Sequence, residues 1–528
     1  MPFLQTRMLR SFPNPSRPTN LLPISVGALL SLASVMGWAQ ELSVAPSSEP
    51  KRDLLIVPRL SVIETFTSNV SLTNVGKRSE QITEVSPGIR ITSDRGRIKG
   101  FLDYSLRQAI YAQGTLSRNS HNALNTFGTV EAVENLAYLD INGNIAQQAI
   151  SAFGAQFPSN LNTNANFTES RTLRLSPYLR GKLSSVADYE ARYSLATNRS
   201  DPSFGSNVTT NEGLLRIKGQ IAFARLGWSL DANRQNTRYT SGRTTEADSL
   251  SGNLTYSINP QLNLSAVGGK EANNYTTLNK TSAFISGFGI NWVPSETTKL
   301  SASRQNRSYG SSHNLFFEHR TARTAWRFND SRAVSATPSQ TGLENRGSVY
   351  DLLFAQAASA EPDPVLRAAL VDEKLRVNGL NPNATVVSSF LTSALSLQRR
   401  QDLSFVLLGI RDTITFTANR SEGFRLDTIV GSVNDDLSNF GVVRQRGLSV
   451  SYAHRLTPET SLNVIGSAQK TADSQGRQDT TTKSMNVSVT TRVGTQSTAV
   501  LGARRVLFES LSAPYTESAI TGTLNIQF

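Results

Sequence analysis

Four histidines, His121, His313, His319 and His454, are the side chains of this 528-residue chain best suited to moving a proton near neutral pH. They lie far apart, and none falls in an HExxH arrangement or another metal-ligand spacing. Glu318 adjoins His319, but neighbours on a strand point to opposite faces, so the two form no dyad. His121 or His313 would suit a histidine at the outer rim of a membrane-embedded hydrolase; the spacing supplies neither with a partner, and no catalytic residue is expected. Gly287-Phe288-Gly289 lacks a phosphate-loop context and reads as relief of crowding in a strand. With no cysteine anywhere, thiolate metal sites, thiol nucleophiles and disulfides are excluded together. No cofactor or metal site is expected.

The charged residues say more, because they recur on one face of a repeated unit. From about residue 56 onward, stretches of 9 to 15 residues alternate apolar with polar side chains, which is the period of a sheet with two different faces. In "GLSVSYAHRL", Leu448, Val450, Tyr452 and Leu456 share one face, and Ser449, Ser451, Ala453 and Arg455 the other. Tight turns alternate with longer polar loops. Those around Pro260, Pro294 and Pro458 follow turn chemistry; others are expected at Arg95-Gly96, Asn142-Gly143, Gly181-Lys182, 409–412 and 494–496. If all tight turns share one side, 22 strands result, within a range of 18 to 24, starting near 57–67 and 80–93 and ending at 497–509 and 514–528. The Asn142-Gly143 turn, which separates strands at 127–139 and 143–154, makes the count even. "GSVYDLLFAQAASA" and "DPVLRAALVDEKLRVNG" carry helix signals, so 338–394 is expected to be a helical insertion serving as loop, lid or plug.

The polar face is too charged to be a core. An all-β chain with an even strand number, short turns on one side and long loops on the other has the pattern of a single antiparallel transmembrane barrel of the outer-membrane type, with its apolar face to lipid. The polar face would then line the lumen with Arg90, Asp103, Arg107, Arg174 and Arg180. It continues with Asp188, Glu190, Arg192, Arg216, Lys218 and Asp231, and then with Glu318, Arg327, Arg400 and Asp402. Such charges set selectivity in pores; the plainer alternative is that they pair across strands and fill the barrel. Arg399 and Gln401 fall on the apolar face, which suggests a break in register there.

The ends agree with export. Arg7, Arg10 and Arg17 precede an apolar stretch, Leu21 to Ala39, with Gly37 and Ala39 at the positions of a cleavage site. Residues 1–39 are expected to be a signal peptide, 40–55 a periplasmic segment and 56–528 the barrel. Loss of the three arginines lowers the formal charge from +13 to +10. At the other end Leu524, Ile526 and Phe528 share one face of a strand. That strand resembles the terminal strand by which the barrel-assembly machinery recognises outer-membrane barrels as a class.

Four stretches resemble a family of outer-membrane barrels associated with the PEP-CTERM/exosortase system: Ile82 to Ala112, Glu131 to Ser151, Phe317 to Val334 and Leu397 to Glu422. The resemblance implies a setting near exopolysaccharide biosynthesis and no established activity. Together with the surplus of positive charge it makes anionic saccharide material the expected passenger. The expected role is a channel or export conduit in the bacterial outer membrane; a general diffusion porin and a non-transporting or adhesive scaffold are the alternatives. The expected partners are outer-membrane lipid, the assembly machinery and exopolysaccharide or export components, with no nucleic acid among them.

Overall fold

The computed structural model describes residues 54–114, 119–155, 166–184, 186–200, 207–220, 225–240, 243–335, 390–392, 395–427, 435–476 and 478–528. The expected signal peptide, and the expected insertion apart from residues 390–392, lie outside these.

Period-two alternation produces 22 strands. They are β1 Leu54–Thr67, β2 Glu80–Arg95, β3 Ile98–Tyr111, β4 Asn119–Val133, β5 Ala137–Ala149, β6 Phe167–Leu183, β7 Ala187–Arg199, β8 Val208–Gln220, β9 Leu226–Tyr239, β10 Thr245–Asn259 and β11 Leu262–Asn273. There follow β12 Thr281–Ser295, β13 Thr298–Arg307, β14 Gly310–Arg320, β15 Thr324–Ser335, β16 Ser396–Leu408, β17 Asp412–Arg425, β18 Val442–Arg455, β19 Thr460–Asp473, β20 Asp479–Arg492, β21 Ser497–Ser510 and β22 Tyr515–Gln527. Among the described residues one short helix, α1 Asp436–Phe440, lies between β17 and β18.

Each strand pairs antiparallel with its neighbours in sequence, and β1 also pairs with β22, from Arg59 opposite Gln527 to Thr67 opposite Ala519. The sheet therefore closes without an edge, which a span through lipid requires, since unpaired backbone groups there find no water. Phe528 donates its N–H to Pro58 O at 2.9 Å, which ties the last residue into the seam.

Phe284, Phe288, Leu250, Leu254 and Leu501 are exposed, whereas Glu84, Arg90, Ser194, Glu318 and Glu517 are buried. Side chains diverge on the convex face of a closed sheet and converge on the concave one. The exposed apolar set is therefore the outside and the shielded polar set the lumen, the reverse of a water-soluble barrel. Trp228, Trp292 and Trp326 each lie on the outside, near the short-turn end of β9, β12 and β15. That is where amphipathic rings mark a membrane interface. Trp326, Phe405 and Phe416 stack along it, with centroids 4.2 and 5.9 Å apart.

Connections at one end run from two residues (96–97) to five (221–225). The other end carries 68–79, 150–166, 336–395 and 426–441, but also the two-residue turn 308–309, so its loops are not uniformly long. Two turns differ from expectation. Asn142-Gly143 is no turn: it lies inside β5, with Gly143 opposite Thr126. The chain reverses instead at 134–136, where Asn135 adopts φ 54° and its N–H donates to Glu131 at 2.6 Å. Asparagine tolerates that left-handed backbone, and a carboxylate four residues back holds it. Likewise Gly181-Lys182 belongs to β6, and the reversal is at 184–186 with Ser184 at φ 60°. The register break expected at Arg399 and Gln401 is also absent. Pairing of β15 with β16 is continuous from Thr324–Leu407 to Ser335–Ser396, and both side chains face outward.

Candidate functional site, a charged lumen beneath a bridged mouth

In-register partners share a face, so the pairing places the charged set. Arg90 stands opposite Asp103 on the lumen wall, and Arg107 stands opposite His121. Arg59 reaches over β2 to Asp103, with Nη1 2.9 Å from Oδ2. It can cross because Gly88 lies opposite it; a Cβ there would come within 2.8 Å of the Arg59 Nε.

On β5 to β9 the charges interlock. Arg192 binds Asp140 at 2.7 Å and Glu190 at 2.9 Å, and its guanidinium lies 3.9 Å from the Tyr178 ring centre. Tyr178 stacks on Tyr138 at 5.1 Å, and Arg180, opposite Glu190, lies 4.1 Å over the Tyr138 ring. The result is a four-member arginine–tyrosine stack along the wall, of the kind an aromatic quadrupole stabilises. Arg174 binds Glu212 at 3.0 Å, Lys218 lies 3.9 Å from Asp188, and Arg216 pairs with Asp231. On the facing wall Arg327, opposite Glu318, lies 4.8 Å over Phe316, while Arg400 binds Asp402 at 2.7 Å. The structure thus groups these residues in clusters on separate walls, not in one ring. Sequence reading missed Arg59, Asp140 and Glu212, which complete three of the pairs. Asp140 was hidden by the misplaced turn at Asn142-Gly143.

The long-loop end is spanned from wall to wall. In a ring of 22 strands β5 and β17 stand twelve strands apart one way and ten the other, nearly opposite. The connections that leave them nevertheless meet. Asp436 accepts from Ala152 N–H at 2.7 Å and from the Ser151 hydroxyl at 2.9 Å. Ala152, Phe153, Phe390, Leu437 and Val443 form a small buried core with Phe440 against it, and the Phe153 and Phe440 rings meet edge to face at 5.1 Å. Leu391 N–H donates to Ala149 O at 2.9 Å. Asp435 caps α1 through Ser438 N–H at 2.7 Å, and accepts from Thr392 Oγ1 at 2.9 Å. Gly441, at φ 72°, ends the helix. A second tie fixes the same connection: Arg243 binds Asp427 at 2.8 Å while donating to Tyr275 O at 2.7 Å and Thr277 O at 3.1 Å. The signal for α1 was present in "DDLSNFG", an aspartate cap followed by a closing glycine.

Burial pushes the Asp436 carboxyl up to about 6, aided by the neighbouring Asp435 charge and opposed by the Ala152 and Ser151 hydrogen bonds. The bridged state therefore holds a proton more tightly than the released one. Its stabilisation is complete below the ordinary carboxylate value and is lost as pH rises through about 6. Hydrogen-exchange protection of the Ala152 amide, corrected for intrinsic rate, should fall from pH 4.5 to 7.5 by about ten- to a hundredfold. In Asp436→Asn it should stay flat, and an unchanged wild-type protection would contradict the assignment.

The histidines hold structural partners. His313 lies 3.1 Å from Asp330, His319 2.9 Å from the Thr298 hydroxyl and His454 2.6 Å from Asp412, all three on the outward face. His121 Nδ1 lies 2.9 Å from Gln147. Among the described residues no group of three or more His, Asp or Glu could hold a metal ion.

No protein-family model and no curated protein matches this sequence. Solved structures do. The FrpB iron transporter of Neisseria meningitidis, apoprotein form of the F5-1 variant, aligns with a TM-score of 0.51 at 10% identity, over 90% of this chain and 81% of that one. A mutant of the ferric enterobactin receptor PfeA from Pseudomonas aeruginosa aligns at 0.45 and 11% identity, over 90% and 80%. What the FrpB alignment shows is the shared fold. This chain is a barrel of the bacterial outer membrane. Its short turns accordingly face the periplasm and its long loops the exterior, so the bridged mouth is the outer one.

Proposed function

We propose that this outer-membrane barrel is a gated conduit for polar, anionic saccharide material, closed at rest by the bridge across its outer mouth. The observation that carries the reading is the lumenal stack of Arg180, Tyr138, Tyr178 and Arg192. Its guanidinium groups stay charged at any physiological pH but are matched by Asp140 and Glu190. The preference for acidic solutes rests on the chain's overall excess of basic residues, 53 Lys and Arg against 40 Asp and Glu. The resemblance to barrels found near exopolysaccharide loci supports saccharide as the solute class. The bridge argues against an open diffusion porin, since an open pore would leave Leu437 and Phe153 no reason to be buried together.

Planar-bilayer recording tests this. Wild-type protein should conduct rarely, and a chain lacking 338–394 or carrying Leu437→Ala should conduct with anion preference. Current through the opened forms should be blocked by an acidic oligogalacturonate and not by a neutral maltodextrin of the same length. Replacing Arg180 and Arg192 by Gln should weaken that block about tenfold. Silence from every form would favour the scaffold reading and defeat transport.

A further inference from the structure

The outward face of the barrel carries charges that neither the lumen nor the mouth uses. On one flank, from β15 to β19, three successive rows of in-register residues can be read across the strands. The lowest row is apolar: Phe328, Leu403, Ala418, Leu448 and Ala468. Leu403 and Leu448 are exposed, as lipid-facing residues should be. The next row toward the exterior is Asp330, Gln401, Arg420, Arg446 and Lys470. The third is Arg332, Arg399, Glu422 and Arg444.

Neighbouring strands stand about 4.8 Å apart, so Arg420, Arg446 and Lys470 form three adjacent cations in one row, and Arg332 faces Arg399 in the next. Like charges directly opposite each other destabilise a sheet unless something neutralises them. The carboxylates present fall short. Glu422 serves both Arg420 at 2.6 Å and Arg444 at 3.7 Å. Asp330 serves both Arg399 at 3.0 Å and His313 at 3.1 Å. Lys470 meets Asp479 at 2.8 Å. Arg446 is exposed and makes no ion pair with any described residue.

Arg171 opposite Arg199 on β6 and β7 is a like-charged pair elsewhere on the outward face, with Glu169 2.7 Å from Arg171. The β15 to β19 flank is broader, with three cations side by side in one row. Toward their long-loop ends β1 to β5 carry Glu64, Thr83, Gln108, Asn122 and Gln147 on the outward face, with no lysine or arginine. A patch that borders the apolar band on its outer side sits at the headgroup level of the outer leaflet, where phosphates are available to close a surplus of positive charge.

We propose that the rows around Arg420, Arg446 and Lys470 bind the phosphate groups of an outer-leaflet glycolipid, whose acyl chains lie along Leu403, Ala418 and Leu448 below. Guanidinium groups suit phosphate through paired N–H donors. The site is independent of what passes through the lumen.

The test uses the full-length barrel in detergent, titrated with bis-phosphorylated lipid A, with its dephosphorylated form and with inorganic phosphate, and read by native mass spectrometry. Wild-type protein should retain the phosphorylated lipid, and retention should weaken with added salt. Arg446→Gln with Lys470→Gln should reduce affinity about 30-fold, whereas Glu422→Gln should raise it and Arg171→Gln on β6 should leave it unchanged. Heat-modifiable mobility confirms that each variant is folded. Equal retention of phosphorylated and dephosphorylated lipid, equal retention by wild type and the double variant, or inorganic phosphate competing as well as the lipid at equal concentration would each overturn the proposal.

Discussion

Replacing Leu437 by alanine is expected to open the outer mouth. Leu437 is completely buried, yet it sits in a core of only five buried residues, four drawn from three separate connections and one, Val443, from β18. Truncating a buried leucine costs about 2–5 kcal/mol in transfer and cavity terms, and here nothing else in the fold absorbs the loss. The strands are held by their own ladders, so the cost falls on the bridge and not on the barrel. A loss of about 3 kcal/mol shifts a closed-to-open equilibrium by about 150-fold. Channel openings in planar bilayers should become more frequent by that order, while the heat-modified gel mobility of the barrel stays unchanged. If Leu437→Ala unfolded the barrel, or left conductance at the wild-type level, the bridge would not be a separable gate.

Removal of residues 519–528 is expected to have a larger effect on the molecule as a whole. Those residues supply every in-register partner of β1 on its β22 side, from Arg59 to Thr67. Without them β1 and β21 each present an open edge, and an unsatisfied backbone group in the hydrocarbon costs several kcal/mol. No heat-modifiable barrel should form in liposomes. Loss of Phe528 alone should leave the purified chain able to close, because it removes one backbone hydrogen bond, to Pro58. It should lower the yield in cells, if the terminal aromatic guides assembly as the class resemblance implies. A fully inserted 518-residue chain would show that β1 can close on another strand.

Much of this architecture was legible because sheet chemistry is periodic. The closing role of 514–528 and the side chains that share a face follow from alternation; the even count of 22 holds although the turn that supplies it lies at 134–136 and not at Asn142-Gly143. What alternation does not fix is where a strand stops when turn residues are sparse. Asn142-Gly143 has the composition of a hairpin turn, but Glu134-Asn135-Leu136 won because Glu131 braces the reversed chain there. The same property hid Asp140 and with it the anchor of Arg192. Arg399 and Gln401 looked like a slip in register because an outward face was assumed to be apolar along its whole height. The strands are longer than a bilayer needs, and charge belongs on their outer ends. The bridge was not legible at all. No local signal says that Ser151 and Asp436, 285 residues apart, will share hydrogen bonds across a lumen.

The most direct measurement exploits a chain that has no cysteine of its own. Ser151→Cys and Asp436→Cys, combined with Leu437→Ala, place two unique thiols at a contact between connections that leave opposite walls of the barrel. They can be joined by a short bifunctional methanethiosulfonate and released by dithiothreitol. Joining them should silence the opened channel, and release should restore its current. Conductance that is the same before and after, or thiols that never become joined, would contradict a gate built across the mouth.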